Sequence, residues 1–516
     1  MPSLQRCSLA THPMQSRFLK SLTLLSLVVA CSCSDNLKYN DNPSDSNFYT
    51  QGDHNRVAAE WEPASGTMIT WPLCIPYKLV IEFAKDNHLY TLVGNEASKK
   101  EALNWYTKWG IDSSKNTFVY APQGVDAWWV RDWGPSAVFT TDGKMKLGDG
   151  RYIYSTPYSH IQCGDSVEFI YKTKDNKIIK TETDDSATQY LGKELNIELL
   201  DVPFINTGGN VQTDGLGTAF STCALLSENQ FFGVSEEKFR DLNKSLLGFE
   251  RYNIISNFET HGIQHIDCFL KLLDEDRILV TEPPRDHYLH NVYENIVQNE
   301  LSKLRSSYGR PYKILRIKTG RFKKEALAAY TNSIILNKTI YVPLYKIRED
   351  SMALQRWQEV MPGYTIKGFE FDLGNEPCLT KEMKEHYQTY GWAGNDGLHC
   401  RTRAVWDPAM VFITTKKIEP EVNSKHKNIV YTTIIDYSKK GLVKEKSNLF
   451  WKISGEMNWN NLVLNQVEGT DHFFAEIPYN KPGVTIEYYV SAVSNSGKAE
   501  SQPRTAPLGT YQFAIK

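Results

Sequence analysis

The sequence predicts an α/β domain followed by a small all-β module. Two observations carry this. Short apolar strands alternate with helical stretches after the first fifty or so residues, the pattern of an α/β fold. Near Lys416 the character changes, and the chain beyond is strand-like throughout.

The strands of the first part come in order. Gly66-Thr67-Met68-Ile69-Thr70-Trp71, Thr117-Phe118-Val119-Tyr120, Ile278-Leu279-Val280 and Thr339-Ile340-Tyr341-Val342 are short runs rich in β-branched and aromatic residues. Asp142-Gly143 between two apolar runs marks a hairpin turn. Helical spacing of apolar residues runs through 288–304 and 352–360. No repeat of fixed period is visible. In the last part, Ile429-Val430-Tyr431, Leu449-Phe450-Trp451, Phe473-Phe474-Ala475 and 486–493 read as strands. Asn480-Lys481-Pro482-Gly483 and Asn495-Ser496-Gly497 read as turns. Short strands at turn spacing over about a hundred residues predict an immunoglobulin-like sandwich. The expected division is 1–31 address, 32–55 flexible tether, 56–416 α/β domain, 417–427 linker and 428–516 sandwich.

The chain has 516 residues with 58 basic and 60 acidic side chains, a net charge of -2 that recommends no nucleic-acid partner. Its nine cysteines lack CxxC spacing, so neither a zinc site nor a dense disulfide framework is expected. Arg17 and Lys20 precede the apolar run 22–30, too short to span a bilayer but suited to a secretory signal. That run ends Leu27-Val28-Val29-Ala30-Cys31, which resembles a bacterial lipobox and makes Cys31 the expected lipidation site. The polar stretch that follows reads as a tether. The expected location is outside the cytoplasm, in the periplasm or on the cell surface, with the lipid as the sole membrane contact.

Five segments carry chemistry: Glu60-Trp61-Glu62-Pro63; Trp128-Trp129-Val130-Arg131-Asp132-Trp133-Gly134-Pro135; Gly208-Gly209-Asn210; His265-Ile266-Asp267; and 394–403, which contains Leu398-His399-Cys400-Arg401-Thr402. Taken singly, each has an ordinary structural role. Asp132 can cap a turn, His265 and Asp267 can pair on one face of a strand, Gly208-Gly209-Asn210 can turn the chain, and Cys400 can be a buried thiol. Together they form an inventory for one reaction. A guanidinium presents a planar fork of N–H donors, which two carboxylates, Asp132 and Asp267, can hold. Its carbon is a poor electrophile and needs a thiolate, for which Cys400 is the candidate. One imidazole, His265, can protonate the leaving nitrogen and later activate water.

In this order, the segments resemble the bacterial peptidylarginine deiminase and agmatine deiminase family of the guanidino-group-modifying superfamily. The resemblance runs from about Glu60 to about Thr415. It implies a pseudo-fivefold α/β propeller with the active site along its axis. It implies Cys400 as nucleophile, His265 as general acid/base and Asp132 and Asp267 as guanidinium ligands, acting through a covalent thiouronium with no metal or organic cofactor. Asn332 matches an asparagine the family places near the substrate, and Trp129 is suited to pack on the substrate's aliphatic stem. Arg131 is a candidate substrate contact or a structural ion pair.

Export, together with a C-terminal sandwich and a His-Cys-Arg-Thr-Arg segment that resemble the peptidylarginine branch of the family, favours a peptidyl arginine, C-terminal above all, or free arginine as substrate. Arg151 is then the candidate for a terminal carboxylate, being the sole arginine between Arg131 and Arg240. The alternatives are an agmatine deiminase, forming N-carbamoylputrescine and ammonia, and a surface lipoprotein that binds without catalysing.

Overall fold

Strand Ala64–Trp71 pairs in parallel with His88–Val93 and antiparallel with Arg403–Trp406, so the two ends of the α/β part share one sheet. This computed structural model describes residues 49–122, 128–152, 182–259, 262–394, 396–425 and 427–516. Cys31, the signal and most of the tether lie outside the described residues.

Among the described residues, one small pattern recurs in five sheets. A short turn enters an antiparallel pair of strands, a helical connection follows, and a further strand returns parallel. Ser136–Phe139 and Met145–Arg151 pair antiparallel, and Leu199–Ile205 returns parallel. Gln212–Thr213, Thr218–Thr222 and Arg251–Ile255 repeat this, as do Leu270–Asp274, Arg277–Glu282 and Lys313–Lys318. Ile334–Leu336, Thr339–Leu344 and Thr365–Glu370 form the fourth. Arg403–Trp406 with Ala64–Trp71 and His88–Val93 forms the fifth, to which Asn116–Tyr120 adds an edge. Parallel return needs a crossover, and helices such as His290–Asn299 and Glu349–Val360 supply it.

Local chemistry sets the element ends. Helix Glu236–Leu247 starts where Ser235 accepts the Lys238 N–H at 3.2 Å, with Glu236 and Glu237 at its positive end. It stops at Gly248, whose φ of +72° and contact with the Asn55 carbonyl leave no room for a Cβ. At the expected hairpin, Gly143 (φ +73°) lets Thr140 N–H reach the Lys144 carbonyl at 2.8 Å.

The C-terminal part contains two sheets over one core. Val411–Lys416, Asn428–Asp436, His472–Ile477 and Asn465–Gln466 form one. Val484–Val493 is central to the other, where Ile486, Tyr488, Val490 and Ala492 alternate inward to meet Val430, Ile434 and Phe473. Strand Val411–Lys416 belongs to this part by its pairing, although the sequence reading ended the α/β domain at 416. The two parts share buried contacts. Arg56 pairs with Glu62 at 2.6 Å under the rings of Phe412 and Tyr437, and Lys417 reaches Asp274 at 2.9 Å.

Candidate active site

The recurring pattern fixes where the site residues fall. Each entry turn carries one of the residues singled out above. Val130–Trp133 holds Asp132, Gly208–Asn210 holds Gly209, Ile266–Cys268 holds Asp267, the turn before Ile334 holds Asn332, and His399–Arg401 holds Cys400. These turns touch: Val130–Trp133 meets both Gly208–Asn210 and His399–Arg401, and Gly208–Asn210 meets Ile266–Cys268.

Gly209 is the point of convergence. A Cβ there would lie 2.5 Å from Asp132 Oδ1, 2.8 Å from His265 Nδ1 and 3.4 Å from Asp267 Oδ2. The bare backbone instead donates its N–H to Asp132 Oδ1 at 3.0 Å. His265 and Asp267 are not on a strand, as their spacing suggested. His265 precedes the turn Ile266–Cys268, which aims both side chains at this point. Asn210 supports the turn from below, its Oδ1 accepting the N–H groups of Thr222 at 3.0 Å and Ile266 at 3.1 Å.

Cys400 is fully buried. Asn332 Nδ2 donates to its Sγ at 3.1 Å, and Asn332 Oδ1 accepts the N–H groups of His399 at 2.9 Å and Cys400 at 3.3 Å. The thiol lies 3.7 Å from Asp267 Oδ2. Cys268, to which the sequence reading gave no role, is a second thiol beside it. An oxygen of Asp267 and the sulfurs of Cys268 and Cys400 lie within 4.8 Å of one another, a donor set able to take a soft divalent ion.

Electrostatics separates the two carboxylates. Burial and the neighbouring Asp267 hold Asp132 well above the usual carboxylate range. Burial also acts on Asp267, but its hydrogen bond from His399 brings it below that range. Burial pushes His265 down to about 4, so the ring is neutral at pH 7. A hydrogen bond with Cys268 favours the Cys400 thiolate, yet burial and the carboxylates of Asp267, Asp396 and Asp132 prevail, raising it to about 11.

The other predicted residues lie at graded distance from this cluster. Trp129 caps the turn that carries Asp132 and packs against Trp128, ring centroids 5.6 Å apart. Arg131 is buried, 3.6 Å from Glu60, with its Nε donating to the His399 carbonyl at 3.4 Å. Arg151 is exposed and pairs with Asp201 at 3.5 Å, away from the buried cluster. Glu60, Lys271 and His399 form a buried network that sequence reasoning passed over. Two of them stood inside motifs already noticed, but neither position says what its side chain faces.

A family model for Porphyromonas-type peptidyl-arginine deiminase matches residues 56–374, which include Asp132, Gly209, His265, Asp267 and Asn332. The chain belongs to this family. Its chemistry is hydrolysis of amidine C–N bonds, so this protein is a guanidino-group deiminase. Among relatives, a provisionally named agmatine deiminase of Lactococcus lactis is 26% identical over 291 residues, 49% of this chain and 74% of that one. Another, from Mycoplasma capricolum, is 23% identical over 390 residues, 67% of this chain and 98% of its own. The structure of the agmatine deiminase of Enterococcus faecalis superposes with TM-score 0.51 at 19% identity, covering 70% of this chain and 98% of that one. A provisionally named arginine deiminase from Porphyromonas gingivalis gives TM-score 0.50 at 20% identity, covering 69% and 99%. These two share the fold of the deiminase. Cys400 lies beyond the matched segment, and Asn332 ties it to the rest of the cluster.

Proposed function

We propose that this deiminase converts the guanidinium of a peptidyl or free arginine into a ureido group, releasing ammonia. The observation that carries this is the convergence of Asp132, His265 and Asp267 on the space above Gly209, with Cys400 Sγ 3.7 Å from Asp267. A planar cation there receives hydrogen-bond acceptors from two carboxylates. The same cation offsets the anions that hold the Cys400 thiol protonated, so substrate itself favours the thiolate.

The thiolate attacks the guanidinium carbon and forms a C–S bond. His265, neutral at rest, takes the proton that the Cys400 thiol loses and delivers it to one nitrogen, and the C–N bond breaks to release ammonia. The thiouronium remains on Cys400. Water then adds to the same carbon as His265 takes its proton, and the C–S bond breaks to leave the ureido product and free Cys400. Trp129 flanks the entrance for the aliphatic stem, and Asn332 holds the nucleophile's turn.

The same reading takes the five recurring sheets as blades of a propeller about the site, and the C-terminal sandwich as an immunoglobulin-like module. It keeps Cys31 as a lipid anchor displaying the enzyme in the periplasm or at the cell surface, a location that favours an arginine-bearing peptide. A second reading, agmatine as substrate, is favoured by the names of the relatives. Ammonia release is measured from agmatine, an internal-arginine peptide and a terminal-arginine peptide, with Cys400→Ala as blank. Turnover of the arginine peptides lost in the blank supports the first reading, and turnover of agmatine alone supports the second. No ammonia from any of them overturns both and leaves a binding lipoprotein.

A further inference from the structure

Cys268 has no part in the attack on carbon or in the proton transfers, yet it stands beside the atoms that do. It follows Asp267 in the turn Ile266–Cys268 and is buried. Its Sγ lies 3.5 Å from Asp267 Oδ1, and Cys400 Sγ lies 3.7 Å from Asp267 Oδ2. One oxygen of this carboxylate and the two sulfurs fall within 4.8 Å of one another. A tetrahedral ion with bonds of about 2.3 Å to sulfur and about 2.1 Å to oxygen sets those atoms roughly 3.6 Å apart. The spacing in the protein is therefore already close to that around a coordinated ion.

The surroundings suit a metal thiolate. Asn332 Nδ2 faces both sulfurs, at 3.1 Å from Cys400 and 3.4 Å from Cys268. An N–H donor toward sulfur favours the thiolate over the thiol. His399 Nδ1 lies 2.7 Å from Asp267 Oδ2, and ligating carboxylates are commonly held by such an outer hydrogen bond. Two thiolates and one carboxylate select zinc or cadmium over magnesium or calcium, which take oxygen ligands. CxxC spacing is absent because the two sulfurs come from turns far apart in the chain.

We propose that Asp267, Cys268 and Cys400 form an inhibitory site for zinc or a similarly soft divalent cation, which competes with the substrate guanidinium. Each thiol gives its proton to water as its metal–sulfur bond forms. Asp267 contributes an oxygen, and water fills the fourth position. No electron is transferred, so removing the ion restores the free thiols. The occupied site has neither a nucleophile for the carbon nor an Asp267 oxygen for the substrate. The competition rests on the roles assigned to Asp267 and Cys400 above, whereas the coordination stands without them.

The coordination is tested without turnover. Cadmium is titrated into the reduced full chain, freed of reductant, and the ultraviolet thiolate-to-cadmium absorption is followed. The expected result is a tight site whose band loses about half its intensity in Cys268→Ala, one of its two thiolates being gone. Affinity falls by more than the roughly 100-fold that loss of an outer partner costs. Cys268→Ser, nearly isosteric, behaves alike, which separates coordination from packing, and circular dichroism checks the fold of each. Cys74 and Cys378 remain in every protein, so the difference reports the site. Unchanged band and affinity in both variants overturn the proposal.

The inhibition is tested with an arginine peptide. Zinc is expected to raise the KM of the wild type with kcat unchanged, and a chelator to restore it. Cys268→Ser, read against its own metal-free rate, needs about 100-fold more zinc for the same rise. Equal zinc sensitivity in Cys268→Ser, or a fall in kcat alone, overturns the competition. Should no guanidinium compound be hydrolysed, the proposed function fails, while the cadmium titration still decides the site.

Discussion

Asn332 holds both sulfurs of the site with one amide: its Nδ2 lies 3.1 Å from Cys400 Sγ and 3.4 Å from Cys268 Sγ. Its carbonyl oxygen meanwhile accepts the backbone N–H groups of His399 and Cys400, in the turn that carries the Cys400 thiol. Replacing it by aspartate keeps the shape but sets a further anion against the thiol. The expected outcome is a fall in kcat of about 100-fold, with Tm changed little, measured by ammonia release and thermal unfolding. Near-normal kcat in Asn332→Asp would refute this role.

Gly209 is the sharpest steric test. Gly209→Ala forces a methyl group between Asp132 and His265, both closer to it than van der Waals contact permits. Displacing reacting groups by about 1 Å costs on the order of 100-fold in rate. Turnover should fall by at least that much while circular dichroism stays that of the wild type.

The free enzyme's thiol should behave as a weak acid. With Cys400 raised to about 11, its thiolate fraction climbs tenfold per pH unit through the neutral range. The iodoacetamide rate at Cys400, followed from pH 6 to 9.5, is expected to rise without levelling. A plateau below pH 8 contradicts the burial and carboxylate effects described for this thiol.

His265 makes stability depend on pH. Its folded pKa of about 4 lies below the ordinary value of 6.5, so the unfolded chain binds the proton more readily between those values. The associated stability is fully present above pH 6.5 and is lost as pH falls toward 4. The loss amounts to roughly 3 kcal/mol. Urea unfolding at pH 7 and pH 4 should show this difference, and His265→Asn should reduce it.

Much of the fold was legible because local chemistry carries it. The strands around Ile69, Val119, Leu279 and Ile340 fall where β-branched runs stand between polar turns. The recurrence of the five sheets was hidden. Corresponding entry turns carry different residues, Asp132, Gly209, Asp267, Asn332 and Cys400, and the connections between them differ in length. The candidate residues of the site stood in visible motifs, whereas Gly209 reads as an ordinary turn and its value lies in a missing atom. Lys271, inside a strand with apolar neighbours, gives no sign that it faces Glu60. Arg151 illustrates the reverse: chain position made it a candidate, and only geometry shows it turned toward Asp201.

The pairing of Arg403–Trp406 with Ala64–Trp71 also orders events during synthesis. The first sheet of the α/β part waits for its partner strand until almost the whole of that part has left the ribosome, and Cys400 emerges just ahead of it. Chains whose translation stops early thus carry Asp132, His265 and Asp267 but lack Cys400. On the proposed reading, incomplete products are chemically silent, and reactivity arrives together with the strand that completes the first sheet.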